Sequence, residues 1–318
     1  MMLLVAAIIS GFVLLVYSAD MLVKGAAAVA KNLGVSSLVI GLTVVGLGTS
    51  APEMLVSAVA SMDGKATMAM GNALGSNIAN ISMVLAFTAI VCPLTLHSSL
   101  IRKELPILLL VTLSVAFFLY DGQFDRWEGY CLLVGLVLLL ISMVYSARHS
   151  GPDEIKEEFD EELSEKIAMR KAIFFLLFGL IVLLASSKLL VWSASELARM
   201  AGISELVIGL SVLAIGTSLP ELAASVVSAL KNEPDIAVGN VIGSNLFNLL
   251  AVLAIPGVLS PGLVPHDTVI RDLPVLIALT LVFVILGIGR RNKPGKVYRF
   301  HGIMLLSFFT GYQLILLT

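Results

Sequence analysis

Residues 41–58 read GLTVVGLGTSAPEMLVSA, an apolar run interrupted near its middle by Ser50, Pro52 and Glu53. Residues 209–226 read GLSVLAIGTSLPELAASV, so the same interruption occurs twice. A stretch suited to a lipid bilayer that breaks its own helix, with a carboxylate beside the break, needs a chemical reason. Proline has no amide hydrogen and its ring clashes one turn back. Pro52 therefore takes the helical partner from the Gly48 carbonyl, and Pro220 does the same to Gly216. Bare carbonyls are costly in hydrocarbon but tolerable where they line a cavity and meet a cation.

The surrounding chain sets the environment. Of 318 residues, 58% are apolar and 13% charged, and the mean hydropathy is +1.01. A soluble domain carries about a quarter charged residues. Charged and Pro/Gly clusters separate ten apolar spans, at 3–30, 36–61, 67–92, 104–121, 128–147, 171–198, 204–230, 235–259, 271–289 and 300–317. A helix needs roughly 20 residues to cross the hydrocarbon core. The sequence thus predicts an all-α polytopic membrane protein of ten transmembrane helices. The first span has no basic lead-in and no small-residue cleavage site, so it is expected to be retained. The net charge of −2 and the lack of a basic stripe exclude a nucleic-acid partner. Cys92 and Cys131 are too isolated for a disulfide framework or a zinc site.

The halves are copies. VSSLVIGL at 35–42 matches ISELVIGL at 203–210, and GTSAPE at 48–53 matches GTSLPE at 216–221. GNALGSNIAN at 71–80 matches GNVIGSNLFN at 239–248, and ELP at 104–106 matches DLP at 272–274. Every pair is offset by 168 residues. Two five-span units are expected, 1–147 and 171–318, joined by a solvated charged loop at 148–170. Five is odd, so the second unit enters the membrane upside down. Inverted repeats of this kind place a transporter's substrate site near the midplane between them. With the N-terminus outside, the loops after spans 1, 3, 5, 7 and 9 hold fourteen basic residues and the opposite side four. The positive-inside rule then predicts both termini outside and the central loop in the cytoplasm.

A carboxylate at the centre of a bilayer costs about 2.5–3.5 kcal/mol on insertion scales, and Glu53 and Glu221 carry that cost at equivalent positions. Helical spacing puts Gly46, Ser50 and Glu53 on one face with Thr49 alongside; the copy offers Ala214, Ser218, Glu221 and Thr217. The following spans place Asn72, Ser76 and Asn80 at helical spacing, mirrored by Asn240, Ser244 and Asn248. These groups are oxygen donors without Cys or His, which suits hard cations, Ca²⁺ or Na⁺. If both ions need the same two glutamates they compete, and exchange follows.

The motifs GTSAPE…GNALGSNIAN and GTSLPE…GNVIGSNLFN resemble the two signature repeats of the cation/Ca²⁺ exchangers, above all the prokaryotic Na⁺/Ca²⁺ exchangers. The resemblance covers nearly the whole chain. It implies a central core of spans 2, 3, 7 and 8, with spans 1 and 6 a long tilted pair that slides across it. It implies a Ca²⁺ site of the Glu53 and Glu221 carboxylates with the Thr49 and Thr217 carbonyls. One Na⁺ site would use Gly46, Ser50 and Ser76, another Ala214, Ser218 and Ser244, with Asn80 and Asn248 in the middle. Some prokaryotic members carry aspartate where this chain has Asn248, so the middle position here lacks a third acid and cannot titrate. The implied activity is electrogenic antiport of three Na⁺ for one Ca²⁺ in a prokaryotic plasma membrane, with no cofactor, no enzymatic activity and no obligate protein partner.

The nearest alternative is H⁺/Ca²⁺ antiport through the same two glutamates. A passive channel fits poorly with an inverted repeat around an occludable site. An intramembrane hydrolase would need a base beside Ser50 or Ser218, yet His97, His149, His266 and His301 fall in loops or at span ends. Asp20 and Lys188 hold equivalent places with opposite signs and are read as snorkelling or making local polar contacts.

Overall fold

The computed structural model describes residues 1–96, 101–149, 167–202, 214–288 and 294–317. The copied stretch 203–210 and most of the charged loop lie outside the described residues. Each of the ten spans contributes helix among the described residues. The chain is a polytopic helical membrane protein. α1 is Met2–Leu33, and the second span is a broken pair, α2 (Ser37–Thr49) and α3 (Ala51–Met62), bent by 41°. α4 is Ala66–Val91, α5 Ile101–Leu119 and α6 Arg126–His149. The second half supplies α7 (Met169–Met200), the broken pair α8 (Ala214–Thr217) and α9 (Leu219–Leu230), and α10 (Pro234–Leu259). It ends with α11 (Thr268–Gly287) and α12 (Arg299–Leu317). Six of these helices are individually long and apolar enough to span a membrane, and α2 with α3 makes a seventh.

α4 and α10 form the centre. The most apolar stretch of each is 78% and 89% buried, against 22% and 28% for α1 and α7. A gallery of small residues lets α2 and α10 close to backbone contact, as interhelical glycines do in membranes. A methyl group on Gly41 would sit 2.8 Å from the Ile236 carbonyl, and one on Gly239 would sit 2.8 Å from the Leu38 carbonyl.

α1 and α7 pack antiparallel as a pair whose apolar cluster, including Leu15, Leu22, Val29, Leu176 and Leu183, also takes in Ile40 and Val45 of α2, Ala224 of α9 and Ile236 of α10. A Cβ on Gly179 would lie 2.6 Å from the Leu22 nitrogen, and one on Gly11 would lie 2.9 Å from Leu190 Cγ. Gly11 and Gly179, Leu22 and Leu190, are counterparts at the 168-residue offset, so the contact is two-fold. At 32 residues each, these helices are about 48 Å long, longer than the hydrocarbon is thick, and must tilt.

Short strands tie the halves together. β1 (Leu94–Leu96) pairs antiparallel with β4 (Gly295–Val297), with Leu94 opposite Val297. β2 (Gln123–Phe124) pairs with β3 (Gly262–Leu263), with Phe124 opposite Gly262. β1 and β3 are counterparts, so each ladder joins one half to the other and the two ladders exchange under the repeat symmetry. The same exchange governs the outer helices. Gly129 of α6 abuts Gly257 at the end of α10, and Gly302 of α12 abuts Ala86 and Ile90 at the end of α4.

Candidate ion site between the broken helices

The break in the second span falls at Ser50, whose ψ of 0° turns the chain out of the helix, and at Ser218, with ψ of 3°, in the copy. Beyond each break a new helix starts with proline in its first turn, and Glu53 or Glu221 follows immediately. A helix N-terminus carries unpaired N–H groups and favours negative charge, and each glutamate also meets a backbone N–H there. That is the local reason for a carboxylate beside the break. Both side chains are 1% exposed. No lysine or arginine among the described residues pairs with either.

The expectation that the breaks leave bare glycine carbonyls is corrected. The Gly46 and Gly48 carbonyls accept backbone N–H groups at the end of α2. The Gly216 carbonyl accepts the Ser187 hydroxyl of α7 at 3.1 Å. Proline removes a helical donor; backbone N–H groups at the end of the same helix serve Gly48, and the packed neighbour α7 serves Gly216.

What stays unpaired is the set of side-chain oxygens and amides. Ser50 Oγ, one oxygen of Glu53, one of Glu221, and both amide atoms of Asn80 and Asn248 are buried without a hydrogen-bond partner. An unmade hydrogen bond of a buried group costs about 1–3 kcal/mol, more when charged. Seven such atoms, two of them oxygens of the uncompensated carboxylates themselves, make a set suited to something cationic. Asn80 and Asn248 each begin a wider π-helical segment, Asn80–Leu85 and Asn248–Val252. In the second, the Leu253 N–H reaches back five residues to the Asn248 carbonyl at 2.9 Å. Such bulges recur at functional sites. Short periodic reading does not reveal them.

The halves interleave across the site. The Thr49 hydroxyl lies 3.1 Å from Asn240 Oδ1 and 3.2 Å from Ser244 Oγ, and Ser244 Oγ lies 3.4 Å from the Gly46 carbonyl. Ser244, expected beside Ala214 and Ser218, thus stands with Gly46 and Thr49 of the other half. Helical spacing fixes a face, and the inverted packing decides which half that face meets. Ser76 and Ser218 are buried, Thr217 is half-buried, and Ala214 opens α8.

Asn72 and Asn240 were grouped with the oxygen donors but given no separate role. Asn72 Nδ2 donates to the Glu53 carbonyl at 3.3 Å, and Asn240 Nδ2 to the Glu221 carbonyl at 3.1 Å. Sequence reasoning missed Ser57 and Ser225, one turn beyond each glutamate. Ser57 Oγ donates to the Val252 carbonyl at 2.9 Å, and Ser225 Oγ accepts from Asn240 at 2.9 Å. Their shared 168-residue offset was the available signal. Ser187 had none, because its counterpart is Ala19.

Comparison with known proteins matches this chain to the family described as sodium/calcium exchanger protein, over residues 3–145 and 171–318. It is 45% identical to the putative antiporter CaxA of Alkalimonas amylolytica over 310 residues, covering 97% of each chain. It is 42% identical to the inner membrane protein YrbG of Escherichia coli, covering 93% of this chain and 92% of that one. Among solved structures, the sodium-calcium exchanger NCX_Mj soaked with Na⁺ and Sr²⁺ superposes with a TM-score of 0.83 at 32% identity. That match covers 97% of this chain and 96% of the other.

Proposed function

Since the chain belongs to the sodium/calcium exchanger protein family, whose members are transporters and not enzymes, we propose that this cation/Ca²⁺ antiporter drives Ca²⁺ with Na⁺. Glu53 and Glu221 are the shared ligands. The observation that carries the reading is the pair of buried carboxylates without a basic partner among the described residues, together with the buried, unpartnered side-chain atoms of Ser50, Asn80 and Asn248. One Ca²⁺ neutralises two carboxylates; Na⁺ ions at the same oxygens exclude it. Gly46, Thr49, Ser50 and Ser244 frame one flanking Na⁺ position, and Ala214, Thr217, Ser218 and Ser76 frame the other by repeat symmetry. Three Na⁺ for one Ca²⁺ moves one net charge per cycle, worth about 2.3 kcal/mol per 100 mV, which favours Ca²⁺ extrusion from a negative interior. In a prokaryotic plasma membrane the units 1–147 and 171–318 would then place both termini outside and the 148–170 loop in the cytoplasm. No resident cofactor or protein partner enters the cycle.

The test is uptake of radiolabelled Ca²⁺ into proteoliposomes loaded with Na⁺, with choline at equal pH, or with an acid interior. Uptake that requires internal Na⁺ and is lost in Glu53→Gln supports the reading. Uptake indifferent to Na⁺ but driven by the pH gradient would move the assignment to a proton antiporter.

A further inference from the structure

Asp20 on α1 makes two ion pairs. Its Oδ1 lies 2.6 Å from Lys231 Nζ and its Oδ2 2.8 Å from Lys24 Nζ. Lys24 is a neighbour on the same helix, but Lys231 caps the C-terminus of α9. This bond therefore joins the α1–α7 body to the central core. Shifted by 168 residues, Asp20 becomes Lys188 and Lys231 becomes Asp63. Both members change sign, so the counterpart pair is again complementary, with the charges exchanged. Lys188 sits on α7 and Asp63 caps the C-terminus of α3. Both are exposed, and neither makes an ion pair among the described residues. An acid at a helix C-terminus is disfavoured by the helix dipole, which makes Asp63 a costly residue to keep without a partner.

The two ends of the core differ in the same sense. Near Asp63, Met68 is 53% exposed, Gly71 is exposed, and Asn72 and Gly75 are partly so. Near Lys231, their counterparts Ile236, Gly239, Asn240 and Gly243 are all buried. The end with the formed ion pair is sealed. Among the described residues, the end with the separated pair is the exposed one.

We infer that Asp20–Lys231 and Lys188–Asp63 are a pair of alternating latches, one closing each end of the ion path as the α1–α7 body changes position. In an inverted repeat the opposite access state exchanges the conformations of the two halves. That exchange carries the Asp20–Lys231 contact onto Lys188–Asp63, and the double sign inversion keeps it attractive. The latch rests on the exchange reading above. It adds which residues bias the two access states.

The test uses the full chain in detergent with Cys92→Ser, Cys131→Ser and a reporter, Ile236→Cys. Ile236 is buried here while its counterpart Met68 is exposed, so maleimide labelling of the reporter reads the population of the opposite state. An ion pair of this exposure shifts an equilibrium about two- to fivefold. Asp20→Asn should raise the labelling rate by that factor. Adding Asp63→Asn, or separately Lys188→Gln, should bring it back down, and Asp20→Lys with Lys231→Asp should restore the starting rate. Equal labelling in the parent and Asp20→Asn contradicts the latch, as does a further rise on adding either second substitution. Sodium-driven Ca²⁺ flux is measured in parallel on wild-type protein. Absent flux counts against the exchange reading itself, whereas normal flux with labelling shifts of the wrong sign counts against the latch alone.

Discussion

Asn72 and Asn240 hold the same place in the two halves and make the same bond, each donating to the carbonyl of its glutamate. One stands in a partly exposed wall and the other in a sealed one, where it also meets Thr49 and Ser225. The motifs around them are nearly identical, GNALGSN against GNVIGSN. The difference therefore belongs to the conformation and not to the residues. Near the centre, Glu53 and Glu221 are equally buried.

That comparison can be broken first at its equivalent point. Glu53→Gln and Glu221→Gln should each reduce Ca²⁺ uptake at least about a hundredfold, the scale of removing one partner from a buried charged constellation. A large effect in one and a small effect in the other would end the claim of a shared site. Next in size is a packing contrast. Gly243→Ala drives a methyl group into the Leu42 backbone and should lower stability by about 1–3 kcal/mol, read as a fall in melting temperature. Gly75→Ala meets no described atom within 4 Å; it should slow exchange more than it lowers the melting temperature, because the opposite state packs that face.

Asn240→Ala should cost about 1–3 kcal/mol of stability, since it takes one partner each from the Thr49 and Ser225 hydroxyls and the donor from the buried Glu221 carbonyl. Asn72→Ala, with one long bond at a partly exposed position, should cost less in the same melting experiment. The smallest effect is expected of Ser187→Ala, which takes one donor from the Gly216 carbonyl and should cost about 1 kcal/mol. Its counterpart Ala19 has no hydroxyl to remove.

Much of this was legible beforehand because membrane helices announce themselves by length and apolar composition, and because duplication doubles every signal. The breaks at Ser50 and Ser218 followed from Pro52 and Pro220, and the oxygen-rich faces followed from helical spacing. The π segments beginning at Asn80 and Asn248 were hidden, since one extra residue per turn leaves no mark in an apolar pattern. The ladders of β1 with β4 and β2 with β3 are too short for alternation to show. The placement of Ser244 beside Gly46 depends on which half faces which, a property of assembly. The Asp20–Lys231 bond was missed for the same reason: the partners lie in different halves, and a sequence read one helix at a time gives Asp20 only its neighbour Lys24.

The most direct test of a single contested site is Ca²⁺ binding to the purified protein by titration calorimetry at increasing Na⁺. Sodium should displace Ca²⁺ competitively and steeply, and binding should be lost in both Glu53→Gln and Glu221→Gln. Ca²⁺ affinity independent of Na⁺, or retained without either glutamate, would contradict exchange through these carboxylates.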